Sequence, residues 1–213
     1  MFAAELQNKM KSICLTVLLL CLVHNGQGAK VATANIHVDS TQVGIGTVIF
    51  HQEEPQAPVR IAGIIDGLQP NTVHVQLKSN KNILKFIILW IFKGFHVHRD
   101  ALASDQFVCN NSGPHFNPFG LFKIENENFV SRMKLFFSLE TLHGPREADL
   151  QGRHVGDLGN VTANENGIII VEFQDRILDL FDEKRSIANR TIVLHAFRDD
   201  GGKGGFPDSN TTG

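Results

Sequence analysis

The chain of 213 residues contains no tyrosine, one tryptophan, three methionines and three cysteines. With so few thiols it is not a small disulfide-stapled scaffold, and it has length enough to bury a core of its own as one domain. Strong charge of either sign is also lacking. Twenty lysines and arginines stand against 22 aspartates and glutamates, a formal net charge of −2, which gives no footprint for nucleic acid and no basis for a disordered polyelectrolyte. No apolar run is long enough to cross a bilayer. The longest uncharged one, Ile13 to Val23, has eleven residues where about 20 are needed. It follows Lys9 and Lys11 and precedes Gly26, Gln27 and Gly28, an order that reads as a secretory leader over 1–28 with the mature chain beginning near Ala29. Cys14 and Cys21 fall in that leader, which leaves Cys109 alone in an oxidising compartment and implies a missing partner or an intermolecular bridge. Asn110, Asn160, Asn189 and Asn210 open glycosylation triplets, each a weak signal by itself.

What is plentiful is glycine, at 19, and histidine, at ten. Ala32–Val38, Gly46–His51, Val59–Ile65, Gly167–Phe173 and Thr191–Phe197 are rich in β-branched residues, and Asp66 with Gly67 is a turn pair. No stretch between them carries convincing helical periodicity. The expectation is an all-β sandwich or barrel over 29–213, with no internal repeat.

The histidines fall in a pattern. His96 and His98 are two apart, so on a strand both rings face one side. His115 sits in a turn-rich run, Gly113 to Pro118. His143 precedes Gly144 and Pro145, His154 precedes Val155, Gly156 and Asp157, and His195 lies in a β-rich segment trailed by Asp199. Six imidazoles and a carboxylate suit Cu(II) and Zn(II).

The segments GFHVH (94–98), GPHFNP (113–118), HVGDLGNVTA (154–163) and RTIVLHAFRDDGGKGG (190–205) resemble the signature segments of the copper/zinc superoxide dismutases, and GTVIFHQEEPQAPVRIAGIIDGL (46–68) resembles that family's opening strands. The resemblance implies an immunoglobulin-like Greek-key β-barrel or sandwich of eight strands. It implies copper on His96, His98, His115 and His195, and zinc on His115, His143, His154 and Asp157, with His115 bridging the two. Asp199 would hydrogen-bond ligands of both metals, and Lys203 would help steer the anion. The implied activity is conversion of superoxide to dioxygen and hydrogen peroxide by a secreted enzyme that forms a homodimer when complete. The alternative is a catalytically impaired metal-binding relative or a copper-chaperone-like domain. His74 matches a histidine of the family that is not a ligand; His24, His37 and His51 match nothing.

Two stretches depart from the family. Removing Val75–Lys93 joins His74 to Gly94, removing Leu121–Glu140 restores the interval to His143, and each deletion recovers the family's text. Both read as retained introns in a conceptual translation, with true loop insertions as the alternative. The family also continues with an arginine that anchors superoxide, a cysteine that pairs with the position of Cys109, and a final strand. The sequence stops before all three, so the expectation is a chain that carries the metal ligands without its closing strand.

Overall fold

A computed structural model describes residues 13–16, 28–38, 43–68, 92–102, 108–119, 143–195 and 197–204. Most of Val75–Lys93, all of Leu121–Glu140, and His24, His74, Asn210 and Thr211 lie outside them. The strands are β1 (Ile13–Thr16), β2 (Lys30–Val38), β3 (Gly44–Gln52), β4 (Val59–Ile65), β5 (Phe92–His98), β6 (Asp157–Thr162), β7 (Ile169–Asp175) and β8 (Thr191–Leu194). The single helical element among the described residues is a 3-10 turn, Cys109–Ser112. The all-β expectation holds. The five strands read from sequence are present, Val59–Ile65 with the same ends and the other four with shifted ones, and β5 takes in Phe92 and Lys93 from the first atypical stretch, paired with Thr162 and Val161.

Neighbours run β6-β5-β8-β1-β2-β3-β4-β7, and every pairing is antiparallel. The end strands β6 and β7 also touch, so the sheet curls round a single core. β2, β3 and β4 follow one another as hairpins. The chain then crosses to β5, returns at β7 beside β4, and crosses again to β8 beside β5, a Greek-key path.

Alternation drives this arrangement. Ala32, Ala34 and Ile36 of β2, Val48 and Phe50 of β3, Ile61 and Ile65 of β4, and Ile169 and Val171 of β7 turn one face inward and are buried. Their neighbours Asn35, Thr47, Arg60 and Glu172 take the other face, where Asn35 meets Thr47 and Arg60 meets Glu172. β5 breaks the rule, because Gly94 to His98 are buried without interruption. Phe95 and Val97 fill the core. His96 and His98 face the other way and lie beneath two loops, 108–119 and 143–156. A strand polar on one face yet buried on both is where this fold keeps its chemistry.

Candidate metal centre

β5 strings the site together through its backbone. Val97 N–H donates to Gly156 O (2.9 Å), Phe116 N–H to Val97 O (2.8 Å) and Gly156 N–H to Phe116 O (2.9 Å), which straps both loops to the strand. Gly156 is required for this approach: a Cβ there would overlap Val97 O. Arg99 N–H to Pro114 O and Asp100 N–H to Ser112 O extend the strap (each 2.8 Å), and His195 N–H to Gly94 O (2.7 Å) docks the end of β8. His115 thereby comes opposite His98 as an isolated bridge pair, and Asp157, at the start of β6, comes opposite His96.

Two convergent sets result, both as expected from the sequence. The ligand-capable atoms of His96, His98, His115 and His195 lie within 4.8 Å of one another, as do those of His115, His143, His154 and Asp157. His115 belongs to both. A third grouping, His96, His143 and Asp199, meets the same limit and connects them.

The outer hydrogen bonds decide which nitrogen of each ring faces inward. Asp199 accepts from His96 Nε2 (2.9 Å) on Oδ2 and from His143 Nε2 (2.6 Å) on Oδ1, which turns both Nδ1 atoms to the interior. Gly113 O accepts from His98 Nδ1 (2.6 Å), which leaves Nε2, 3.3 Å from His195 Nε2. Gly113 can present that carbonyl because its φ of 71° is open to glycine. Outer partners of this kind set tautomer and ring orientation at metal sites.

Asp157 organises the second set. Its Oδ1 is 2.7 Å from His115 Nδ1, 3.0 Å from His143 Nδ1 and 3.2 Å from His154 Nδ1, while Oδ2 accepts the amides of Gly144 (3.0 Å) and His154 (2.9 Å).

None of the atoms so aimed completes a hydrogen bond: His96 Nδ1 and His115 Nε2 are buried without one, and the buried His143 Nδ1 stands 3.0 Å from Asp157 Oδ1 outside hydrogen-bond geometry. A buried, unpaired imidazole nitrogen costs on the order of 1–3 kcal/mol. Three of them around two carboxylates fit cations: neutral imidazole nitrogens with one carboxylate suit zinc, and four imidazoles suit copper.

Electrostatics agree. Burial, with the charge of His96, pushes His115 and His195 well below the ordinary range, and burial brings His98 down to about 4, so all three are neutral donors at pH 7. His143 goes the other way. Burial would lower it, but Asp157 and Asp199 outweigh burial and hold it at about 9. The same contacts overcome burial at Asp157 and Asp199 and hold both carboxyls below the usual range.

A pH profile follows for the metal-free protein. The neutral His98, His115 and His195 stabilise the fold above the unfolded value of about 6.5, and that support is lost as pH falls towards 4. The raised His143 stabilises below about 6.5, and its support is lost as pH rises through about 9. Thermal unfolding of metal-free protein is expected to give its highest Tm near pH 6.5–7, falling at pH 5 and at pH 10. Because a ligand nitrogen must be bare, metal uptake at pH 7 should also release a proton from His143, readable in weakly buffered solution.

Sequence reasoning missed the supports. Arg153 is fully buried. Nη1 donates to the carbonyls of His154, Val155 and Asp157, Nε donates to Ala148 O, and Nη2 pairs with Asp175. Asn160, read only as a glycosylation triplet, grips the Asp199 backbone from both sides: Nδ2 donates to Asp199 O (2.8 Å), and Oδ1 accepts Asp199 N–H (2.9 Å). Nothing in the local sequence marks either role: Arg153 bonds nearby carbonyls but finds its carboxylate, Asp175, 22 residues on, and Asn160 finds Asp199 39 residues on. Cys109 packs with Leu102 and Val193. Lys203 is exposed and lines a cleft of about 190 Å³ with Arg146, Arg198 and Asp200. His37 and His51 lie away from the centre, on β2 and β3.

Asp199→Ala frees His96 and His143 at once. The expected result is a loss of metal affinity of roughly 10–100-fold at both sets, measured by competition with a chromophoric chelator.

Comparison with known proteins agrees with this geometry. The profile of the copper/zinc superoxide dismutase family matches residues 91–213. The copper–zinc superoxide dismutase of Candida albicans is 38% identical over 168 residues, which cover 79% of this chain and 80% of that protein. Those of Neurospora crassa and Yarrowia lipolytica are 34% and 33% identical over the same shares. Among solved structures, the clock protein EA4 is similar with a TM-score of 0.55 and 25% identity, covering 95% of this chain and 84% of that one. The two histidine sets on one Greek-key barrel and the matching relatives together show that this chain belongs to the copper/zinc superoxide dismutase family.

Proposed function

We propose that the chain is a superoxide dismutase with copper held by His96, His98, His115 and His195, and zinc held by His115, His143, His154 and Asp157. One observation carries this reading: His115 offers Nδ1 to the Asp157 set and a buried, unpaired Nε2 to the other. A ring with one nitrogen in each set suits a bridge between two cations.

Bound copper would supply a one-electron centre at which one superoxide is oxidised to dioxygen and a second, with two protons, is reduced to hydrogen peroxide. The protein's part is positional. Asp199 and Gly113 O hold His96, His143 and His98 with bare nitrogens inward. Asp157 fixes His115 through Nδ1, so Nε2 can release or take up a proton without the ring turning. Lys203 lines a cleft in which the basic Arg146 and Arg198 are matched by Glu147, Asp199 and Asp200, so any pull on an anionic substrate comes from Lys203 as an individual exposed cation and not from net charge of the cleft. The complete ligand set weighs against a relic that only stores metal. We further assign the chain to the secretory route through its leader, and to a homodimer.

The test loads the full chain with copper and zinc, measures metal content, and follows decay of a superoxide pulse. Two metals per chain with copper-dependent decay support the reading. Two metals per chain with decay no faster than buffer overturn it in favour of a metal-holding relative.

A further inference from the structure

Ile13–Thr16 lies in the segment read as a leader, yet it is a strand in the middle of the sheet order. It pairs antiparallel with β2 on one side, Ile13 opposite Val38 through Thr16 opposite Asn35. On the other side it pairs antiparallel with β8, Ile13 opposite Leu194 through Thr16 opposite Thr191. β2 and β8 therefore run parallel to each other with one strand's width between them. We propose that these facing edges form a strand-accepting slot whose occupant is the chain's own Ile13–Thr16, so that the apolar segment, while attached, is part of the fold and closes the barrel.

The slot needs an occupant. Among the described residues β2 is otherwise paired with β3 alone, and β8 with β5 alone. Empty, the slot would leave the alternate amides and carbonyls that point into it from Asn35–His37 and Thr191–Leu194 facing a gap, beside the core residues Ile36, Ile192 and Leu194. Unpaired edges of this kind capture extended segments through main-chain bonds. The occupant suits the slot. Residues 13–16 carry no charge and no proline, and they begin and end on the β-branched Ile13 and Thr16. Thirteen residues separate Thr16 from Lys30 (17–29), ample to let the chain turn back antiparallel onto β2. Cleavage before Ala29 would remove this occupant and free both edges for another strand. The proposal stands on backbone pairing and is independent of the metal reading.

The register supplies the test, because the native Cys14 lies opposite His37 on β2 and Val193 on β8. In the full chain with Cys21→Ser and Cys109→Ser, single substitutions His37→Cys, Val193→Cys and Thr33→Cys are oxidised mildly and mapped by peptide mass. Cys14 is expected to cross-link to positions 37 and 193 at least tenfold faster than to position 33, four residues along β2. Equal rates at all three positions, or no cross-link at 37 and 193, overturn the proposal. An independent arm uses Leu15→Pro in the full chain with amide exchange. Exchange at the amides of Asn35–His37 and Thr191–Leu194 that point into the slot should rise tenfold or more relative to the β3–β4 amides. Unchanged exchange at both edges also overturns it.

Discussion

Replacement of His115 by alanine is expected to lower superoxide removal by more than the roughly 10–100-fold that loss of an outer partner costs, because this ring belongs to both sets. Asp157 Oδ1 loses its nearest imidazole, at 2.7 Å, and the four-histidine set loses a member that nothing else replaces. The readout beyond activity is spectroscopic. In wild-type protein loaded with two copper ions the shared ring should couple the two sites magnetically; in His115→Ala the coupling should disappear while His96, His98 and His195 still bind one ion weakly. An unchanged coupled spectrum would show that His115 does not join the two sets.

The largest effect on stability is expected at a residue that is not itself a candidate ligand. Arg153→Met leaves Asp175 buried without its partner, and breaking one side of such a pair costs about 3–5 kcal/mol. At about 2–4 °C of Tm per kcal/mol for a chain this long, the metal-free protein should melt some 6–20 °C lower. The loss has a second consequence. The carbonyls of His154, Val155 and Asp157 all rest on Nη1, so the loop carrying His154 and Asp157 loosens and metal affinity falls with stability. Adding Asp175→Asn removes the stranded charge and should restore part of the Tm without restoring metal affinity, because the carbonyls still lack their donor. Equal recovery of both quantities would assign the whole effect to the ion pair.

The two predictions separate the residues proposed to touch metal from those that hold them in place, and the sequence revealed these unequally. The ligands are legible because they come in short motifs. His96 and His98 share a strand face, while His115, His143 and His154 sit among glycines and prolines that fix turns, and this local pattern carries the resemblance to the family. The strands are legible for the same reason: β-branched alternation in β2, β3, β4 and β7 is a local property that the pleat converts directly into an inner and an outer face. The buried character of both faces of β5 is not local, since the covering loops come from 108–119 and 143–156.

What the amino-acid sequence determined by itself is the chemistry available: six imidazoles and a carboxylate, presented on alternating strands and tight turns, in a chain too poor in cysteine to rely on disulfides. Which nitrogen each ring turns inward was decided only in three dimensions. Asp199 reaches back 103 residues to His96 and 56 to His143, and a tautomer depends on the partner found at the far end. Arg153 and Asn160 gained their roles in the same way, through partners that no sequence interval announces. The place of Ile13–Thr16 follows this rule too. Composition marks an uncharged apolar segment, and such a segment serves equally as a leader or as a strand. Its pairing with β2 and β8 depends on two edges that come to face each other only when distant parts of the chain join one sheet.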